Sequence, residues 1–268
     1  MTDLYKFNYP PQLTEPILIA SWVEDAGRVG PAVADYLIEK FNAGCFCEIE
    51  PAPFFSLTGV SVYHDIAHFP EIKFYAGTRE DVIILKATQP QFDRFLFLNA
   101  LLDVAQHQCR AKLVVTLSGT IAPLAHTQPR RILAVYNQGE IQQDFRSPEL
   151  EDMTWSGPPA LSSYLLWAAQ KRDLPAVSLW PEIPFYLAPH ADYKAIFQIL
   201  TFLGRKFTLD ADLSSIERQV HKQNEKLEHF RREDLEVEQF ITSLESQLNL
   251  SPEEQMILSR KISRFFQE

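Results

Sequence analysis

Continuous apolar runs alternate with helically spaced ones along the first 208 residues, and the alternation predicts strands separated by helices. Pro16-Ile17-Leu18-Ile19-Ala20-Ser21-Trp22 reads as a buried strand, with proline at its first position where no ladder donor is needed. The polar turn from Val23 to Arg28 leads into a helix from about Gly30 to Phe41, whose Val33, Leu37 and Phe41 fall four apart on one face. β-Rich segments follow around Phe54 to Val62 and Ile72 to Tyr75, with Gly59 and Gly77 as turn signals. Asp81 to Ala87 is another buried strand, and Pro90 breaks the chain after it. A helix from about Phe92 to Cys109 then carries Phe95, Leu98, Leu101, Leu102 and Ala105 at helical spacing. Lys112 to Gly119 and Arg131 to Tyr136 complete the middle of the sheet. A loop-rich segment from Asn137 to Pro159 covers an edge and a helix spans about Ala160 to Arg172. Leu174 to Trp180 is the next strand, and a helix runs from about Tyr193 to Phe207.

Strands that alternate with helices, joined by right-handed crossovers, give a mostly parallel sheet flanked on both faces. The fold class expected is α/β, a three-layer α/β/α domain over 1–208 followed by a helical domain over 209–268. In that tail an apolar residue recurs in steps of three and four through Leu213, Ile216, Val220, Leu227, Phe230, Val237, Ile241, Leu244 and Leu248, interrupted by Gln223 and Asp234. Ser251-Pro252-Glu253-Glu254 then opens a second helix with a serine cap, proline at the first position and a capping box. The pattern predicts a helical hairpin, long arm then short. It either folds against its own sheet domain or meets other subunits or a client. The seam is longer than one small domain needs, which favours the second reading and makes Leu213, Ile216, Val220, Leu227, Ile241 and Leu244 candidate interface residues.

Composition narrows the functions. A formal net charge of -10 argues against a nucleic-acid footprint or attraction to anionic lipid, since both want clustered cations. No run approaches the ~20 apolar residues of a spanning helix, and the start lacks the charged-then-apolar design of a secretion signal. Cys45, Cys47 and Cys109 read as reduced thiols of a cytoplasmic protein rather than as metal ligands. His64 and His68, four apart beside Pro70, read as loop histidines, so neither a metal nor a cofactor is expected.

The candidate chemistry gathers where buried strands end, because open α/β sheets put their working groups in the loops at strand carboxyl ends. Glu24, Asp25 and Arg28 follow the first strand, Gln89 and Asp93 the second, and His126-Thr127-Gln128-Pro129-Arg130-Arg131 the third. Glu182, Tyr186 and His190 follow the last. Asp25, His126 and Glu182 are candidate acid–base groups, and Glu24, Gln89, His126, Arg130 and Tyr186 candidate ligand contacts. The alternative for His126 is a packing histidine that fixes its loop by hydrogen bonds. No glycine-rich phosphate loop and no Gly-x-Ser-x-Gly elbow is present; Ser118 reads as a turn serine.

These residues carry a resemblance. Pro16 to Ile19 through Ala26-Gly27-Arg28-Val29-Gly30 and Tyr36-Leu37-Ile38 come first, then Val82 to Leu85 with Gln89-Pro90. Ala125 to Arg130, Leu165-Leu166 and Ile183 to Leu187 complete an ordered set that resembles the proteasome assembly chaperone 2 family from about Pro16 to Glu245. The resemblance implies a three-layer fold like that of nucleoside phosphorylases and hydrolases, C-terminal helices, and homo-oligomers, with a trimer favoured over a tetramer. It also implies assembly chaperones without catalysis, alongside relatives of no assigned activity. Two departures stand out: Gln267 occupies the penultimate position where ring-docking relatives carry tyrosine, and Gly157-Pro158-Pro159 replaces a more glycine-rich stretch. Two functions follow as expectations. The first is a non-catalytic homo-oligomeric scaffold binding an unknown client protein. The alternative is an enzyme of hydrolase, phosphorylase or carboxylate-amine ligase type, acting on a small anionic metabolite in a cleft beside His126 and Arg130.

Overall fold

A computed structural model describes residues 4–56, 61–63, 66–156 and 160–267; Gly59, His64 and Gly157 to Pro159 lie outside the described residues. The strands are β1 (Tyr5–Phe7), β2 (Ile17–Trp22), β3 (Gly44–Ile49), β4 (Ser61–Tyr63), β5 (Ile66–His68), β6 (Ile72–Ala76), β7 (Val82–Ala87), β8 (Leu113–Leu117), β9 (Thr120–Ala122), β10 (Ile132–Tyr136), β11 (Leu150–Asp152) and β12 (Ala176–Pro184). The helices are α1 (Val29–Lys40), α2 (Arg94–Leu102), α3 (Gly139–Asp144), α4 (Leu161–Gln170), α5 (Tyr193–Phe207), α6 (Ser214–Glu233), α7 (Leu235–Glu245) and α8 (Pro252–Gln267).

One sheet runs in the order β1-β3-β6-β7-β2-β8-β12-β10-β11, with β9 added beside the far end of β12, while β4 and β5 form a separate hairpin. β2 lies at its centre, buried at every position and parallel to β7 on one side and β8 on the other. β12 extends the parallel core beyond β8, and the flanking strands β6 and β10 run antiparallel to it. A strand buried on both faces needs no alternation, which is why Ile17 to Trp22 and Val82 to Ala87 show as unbroken apolar runs.

Two apolar layers lie on opposite faces. Ile19, Ile84, Val115 and Leu179 point to the face covered by α1 and α5, and Leu18, Leu85, Val114 and Ala176 to the face covered by α2 and α4. This is the three-layer α/β/α arrangement. The first layer continues without a break into the tail, where Leu227, Val237, Ile241, Leu244 and Leu258 join the same cluster.

Several expectations change. β12 runs on through Pro181 to Pro184 instead of stopping at Trp180. Pro181 is tolerated because the parallel ladder is interrupted there: β8 ends opposite Leu179, and β9 begins pairing only at Glu182. The sequence reading omits β1 and β3, and the segment from Asn137 to Pro159 contains α3 and β11. The long helix expected from Phe92 divides into α2 and a π-helical turn over Asp103–Gln108. The tail is three helices, not two. Asp234, one of the two breaks in the seam, takes an extended backbone and caps α7 by accepting from the Glu236 and Val237 amides.

Candidate functional site

The loop after β2 is held from within. Asp25 sits at the start of the Ala26–Arg28 turn, and its carboxylate accepts from the Gly30 amide at 2.8 Å and the Gly119 amide at 2.8 Å. It therefore ties the first turn of α1 to the end of β8. Burial pushes its carboxyl up to about 6, against the pull of those amide donors. Gly119 is required for the approach, since a Cβ there would lie 2.1 Å from the Ala26 carbonyl oxygen. Gly27 has φ of 66° and a Cβ on it would meet Ile183 at 2.9 Å. Its amide donates to the Ala188 carbonyl, and its own carbonyl accepts from the Asp192 amide, each at 2.9 Å. Loops from three strands thus converge at one rim, as backbone contacts.

His126 and Arg130 lie beneath the tail. The Tyr186 hydroxyl accepts from the His126 amide at 2.6 Å and sits 3.1 Å from its Nδ1. The hydroxyl proton is then free to go to Nδ1, which places the ring proton on Nε2. That atom faces Glu228 Oε1 of α6 at 3.4 Å without a hydrogen bond. Burial, with Arg130 and Arg231 nearby, pushes the imidazole down to about 4, so the ring is neutral. Tyr186 is fully buried and its hydroxyl is raised above the ordinary tyrosine range by that burial. Arg130 donates through Nε to Asp192 Oδ2 at 2.9 Å and through Nη1 to the Gln128 carbonyl at 2.8 Å. Asp192 in turn caps α5, accepting from the Lys194 and Ala195 amides. Both members of that ion pair are buried, the case in which removing one partner costs about 3–5 kcal/mol.

The tail closes over this group. Thr127 Oγ1 donates to Glu245 Oε1 at 2.8 Å, and Gln223 of α6 holds the Tyr193 amide at 3.1 Å and the Ala191 carbonyl at 2.6 Å. Arg231 joins α6 to α7 through Glu238 and Glu245. His190 Nε2 lies 3.1 Å from Ser263 Oγ of α8, with its ring against Phe266. Glu182 forms a two-pronged pair with Arg131, at 2.7 and 2.5 Å. That pair borders a groove of ≈ 480 Å³ between the 122–131 loop and Leu244. Glu24 accepts from the Gln89 amide at 3.1 Å, and the Gln89 side chain donates back to the Glu24 carbonyl at 2.9 Å.

The rim residues expected from sequence therefore form three separate knots: Glu24 with Gln89, Asp25 with Gly30 and Gly119, and His126 with Tyr186 and the Arg130–Asp192 pair. Glu182 stands apart with Arg131. Among the candidate interface residues, Leu227, Ile241 and Leu244 are buried in the chain's own core, and Leu213 and Ile216 pack against it. Val220 is half-buried. The seam's buried residues join the apolar layer of α1 and α5, with α6 lying against α5.

Over residues 18–231 the chain matches the PAC2 family. The chain belongs to the PAC2 family. Its fold is shared with a Corynebacterium glutamicum protein of unknown function at 17% identity, covering 91% of this chain and 96% of that one with a TM-score of 0.78. Pyrococcus furiosus PbaB, an archaeal proteasome activator, is 22% identical over 84% of this chain and 97% of its own, with a TM-score of 0.71. A Mycobacterium tuberculosis proteasome-assembly chaperone homologue is 18% identical over 84% and 99%, also with a TM-score of 0.71. None of the curated proteins matches in sequence.

In this PAC2-family chain, sequence reasoning singled out Gln223 as a break in the apolar seam but missed Asp192, Glu228, Arg231 and Glu245. Asp192 had a readable signal, an aspartate at the cap position of the helix from Tyr193. The others are ordinary polar residues on an amphipathic helix, and nothing local marks which of them face a loop 100 residues away. Among the described residues no group of His, Cys, Asp and Glu could hold a metal ion, and no helix is long and apolar enough to cross a membrane.

Proposed function

We propose that the chain is a non-catalytic, homo-oligomeric scaffold that binds other proteins, of the assembly-chaperone kind, and works in the cytoplasm. The observation that carries this reading is the commitment of the rim's polar groups. Asp25, His126, Arg130, Tyr186 and Glu182 each hold a partner within the chain, and the His126 group lies under the tail. Acid–base catalysis needs such a group within hydrogen-bond reach of an admitted substrate. The same groups here fix loops and helices. Neighbours named for proteasome activation and proteasome assembly point the same way. Burial pushes the Cys47 and Cys109 thiols up to about 12 and 11, which suits unreactive thiols in a reducing compartment.

The test pairs two readouts on the purified chain. Cross-linking capture from native lysate identifies candidate clients, and reconstitution with a purified client is expected to give a complex of fixed stoichiometry. In parallel, a screen of nucleosides, nucleotides and simple esters is expected to show no turnover. Multiple turnover that disappears in a folded Asp25→Asn variant would contradict the proposal.

A further inference from the structure

The hydrogen-bond ladder at the far end of β12 leaves one strand edge open. β9 pairs with β12 in parallel, Thr120 against Glu182, Ile121 against Ile183 and Ala122 against Pro184. Pro184 has no N–H to give the Ile121 carbonyl, so only one phase of a parallel ladder remains. In that phase the Ile183 amide donates to the Thr120 carbonyl, and the Ala122 amide donates to the Ile183 carbonyl. Two flanking bonds agree. The Ser118 amide donates to the Leu179 carbonyl of β12 at 3.1 Å, and the Glu182 amide turns the other way, to the Arg131 carbonyl at 2.9 Å. Ser118, Thr120 and Ala122 therefore face β12. Gly119, Ile121 and Pro123 turn their backbone to the lane that β2 vacates after Trp22. The Asp25 carboxylate takes the Gly119 amide at 2.8 Å, and Pro123 has no donor. The Ile121 N–H and C=O are left without a hydrogen-bond partner among the described residues, on a residue 60% exposed.

We infer that this edge takes one extended segment of a client polypeptide, neutral and with apolar side chains. The segment adds to β9 by accepting from the Ile121 amide and donating to the Ile121 carbonyl. Three observations select that occupant. An outward donor and acceptor on one strand residue are satisfied as a pair by the backbone of an added strand. The groove that continues from Ala122 is lined by Pro123, Leu124, Pro129 and Leu244, and its charged groups, Arg131 and Glu182, neutralise each other. It holds alternate apolar side chains and presents no field that would select an acidic or basic chain. The third observation is length. Strands usually offer about 3–10 residues, so an edge with one open residue is too short to align two folded domains. A flexible segment can follow it into the groove of ≈ 480 Å³. The inference rests on the scaffold reading and states how a client is held. It also gives Asp25 a second part, as the group that ends the vacated lane.

The test titrates the full chain with a panel of end-blocked octapeptides in which valine, leucine or phenylalanine alternates with serine or glutamine. In the free protein the Ile121 amide is expected to exchange fast and the Ala122 amide slowly. A bound panel member is expected to protect Ile121. Each binding peptide is also made with N-methyl groups on its odd or on its even residues. One of the two is expected to lose about tenfold in affinity, the ~1.4 kcal/mol of one hydrogen bond, while the other binds as before. Ile121→Pro, at an amide that β12 does not use, is expected to keep its circular dichroism and lose the peptides; Ile121→Ala is expected to retain them. The methylated pair needs no variant, so it decides even where Ile121→Pro does not fold. An Ile121 amide protected in the free chain would overturn the inference, whether the chain itself fills the edge or, where protection rises with protein concentration, a second copy does. Failure of the whole panel to bind, or equal binding of both methylated forms, would overturn it too. Client capture that persists while the panel fails would sink the edge and leave the scaffold reading standing.

Discussion

Asp25 and His126 are both buried ionisable groups, and burial acts on them in opposite senses of pH. The Asp25 carboxyl titrates at 3.8 in an unfolded chain and at about 6 when folded. Its burial therefore weighs against folding above pH 6, and that cost disappears as pH falls toward 4. The His126 imidazole titrates at 6.5 unfolded and about 4 folded, so its contribution is complete above pH 6.5 and is lost as pH falls toward 4. Each shift is worth about 3 kcal/mol, and over the same window the two cancel. Relative to wild type, Asp25→Asn should lose about 3 kcal/mol of unfolding free energy between pH 6.5 and 4, and His126→Gln should gain as much. Urea titrations at both pH values measure the two slopes. Gly119→Ala tests the close approach beside Asp25. Its methyl group would strike the Ala26 carbonyl oxygen, and a loss of about 3 kcal/mol is expected, the upper end for overpacking.

At the scale of elements, the tail depends on where its long helix breaks. Asp234 caps α7 and also pairs with Lys261 of α8 at 2.6 Å, so one side chain fixes two junctions. Asp234→Ala should cost about 1–2 kcal/mol, and Leu227→Ala, in the buried seam, about 2–5 kcal/mol, both read from thermal or urea unfolding. The strands of the parallel core were legible because burial on both faces leaves an unbroken apolar run, as in β2 and β7. β3 was not, because Gly44-Cys45-Phe46-Cys47-Glu48-Ile49 mixes turn, small and charged residues, and the register shifts at a bulge between Cys45 and Cys47. The seam from Leu213 to Leu248 was legible as helix, and Asp234 as an interruption. Its destination was not, since heptad spacing records only that a face is buried, not which surface buries it. The rim followed the same division. Topology placed its residues at the strand ends, but the pairing of Asp25 with Gly119, or of His126 with Tyr186, depends on loop conformations that no period encodes.

For the whole molecule, one apolar layer runs from β2 through α5 into α6, α7 and α8, and buried polar ties cross the same junction. Sheet and tail then hold each other closed. Deleting 209–268 should expose the apolar seat of Leu227, Ile241 and Leu244, and the truncated chain should aggregate instead of remaining a well-behaved α/β domain, as light scattering would show. The measurement that bears most directly on the account is native-state hydrogen exchange of the full chain. We expect the amides of His126, Ile196 and the buried turns of α6 and α7 to be protected together and to be released in one step by denaturant. A tail that exchanges freely, with the His126 loop open to solvent while the central strands stay protected, would contradict the account and restore an accessible cleft at the strand ends.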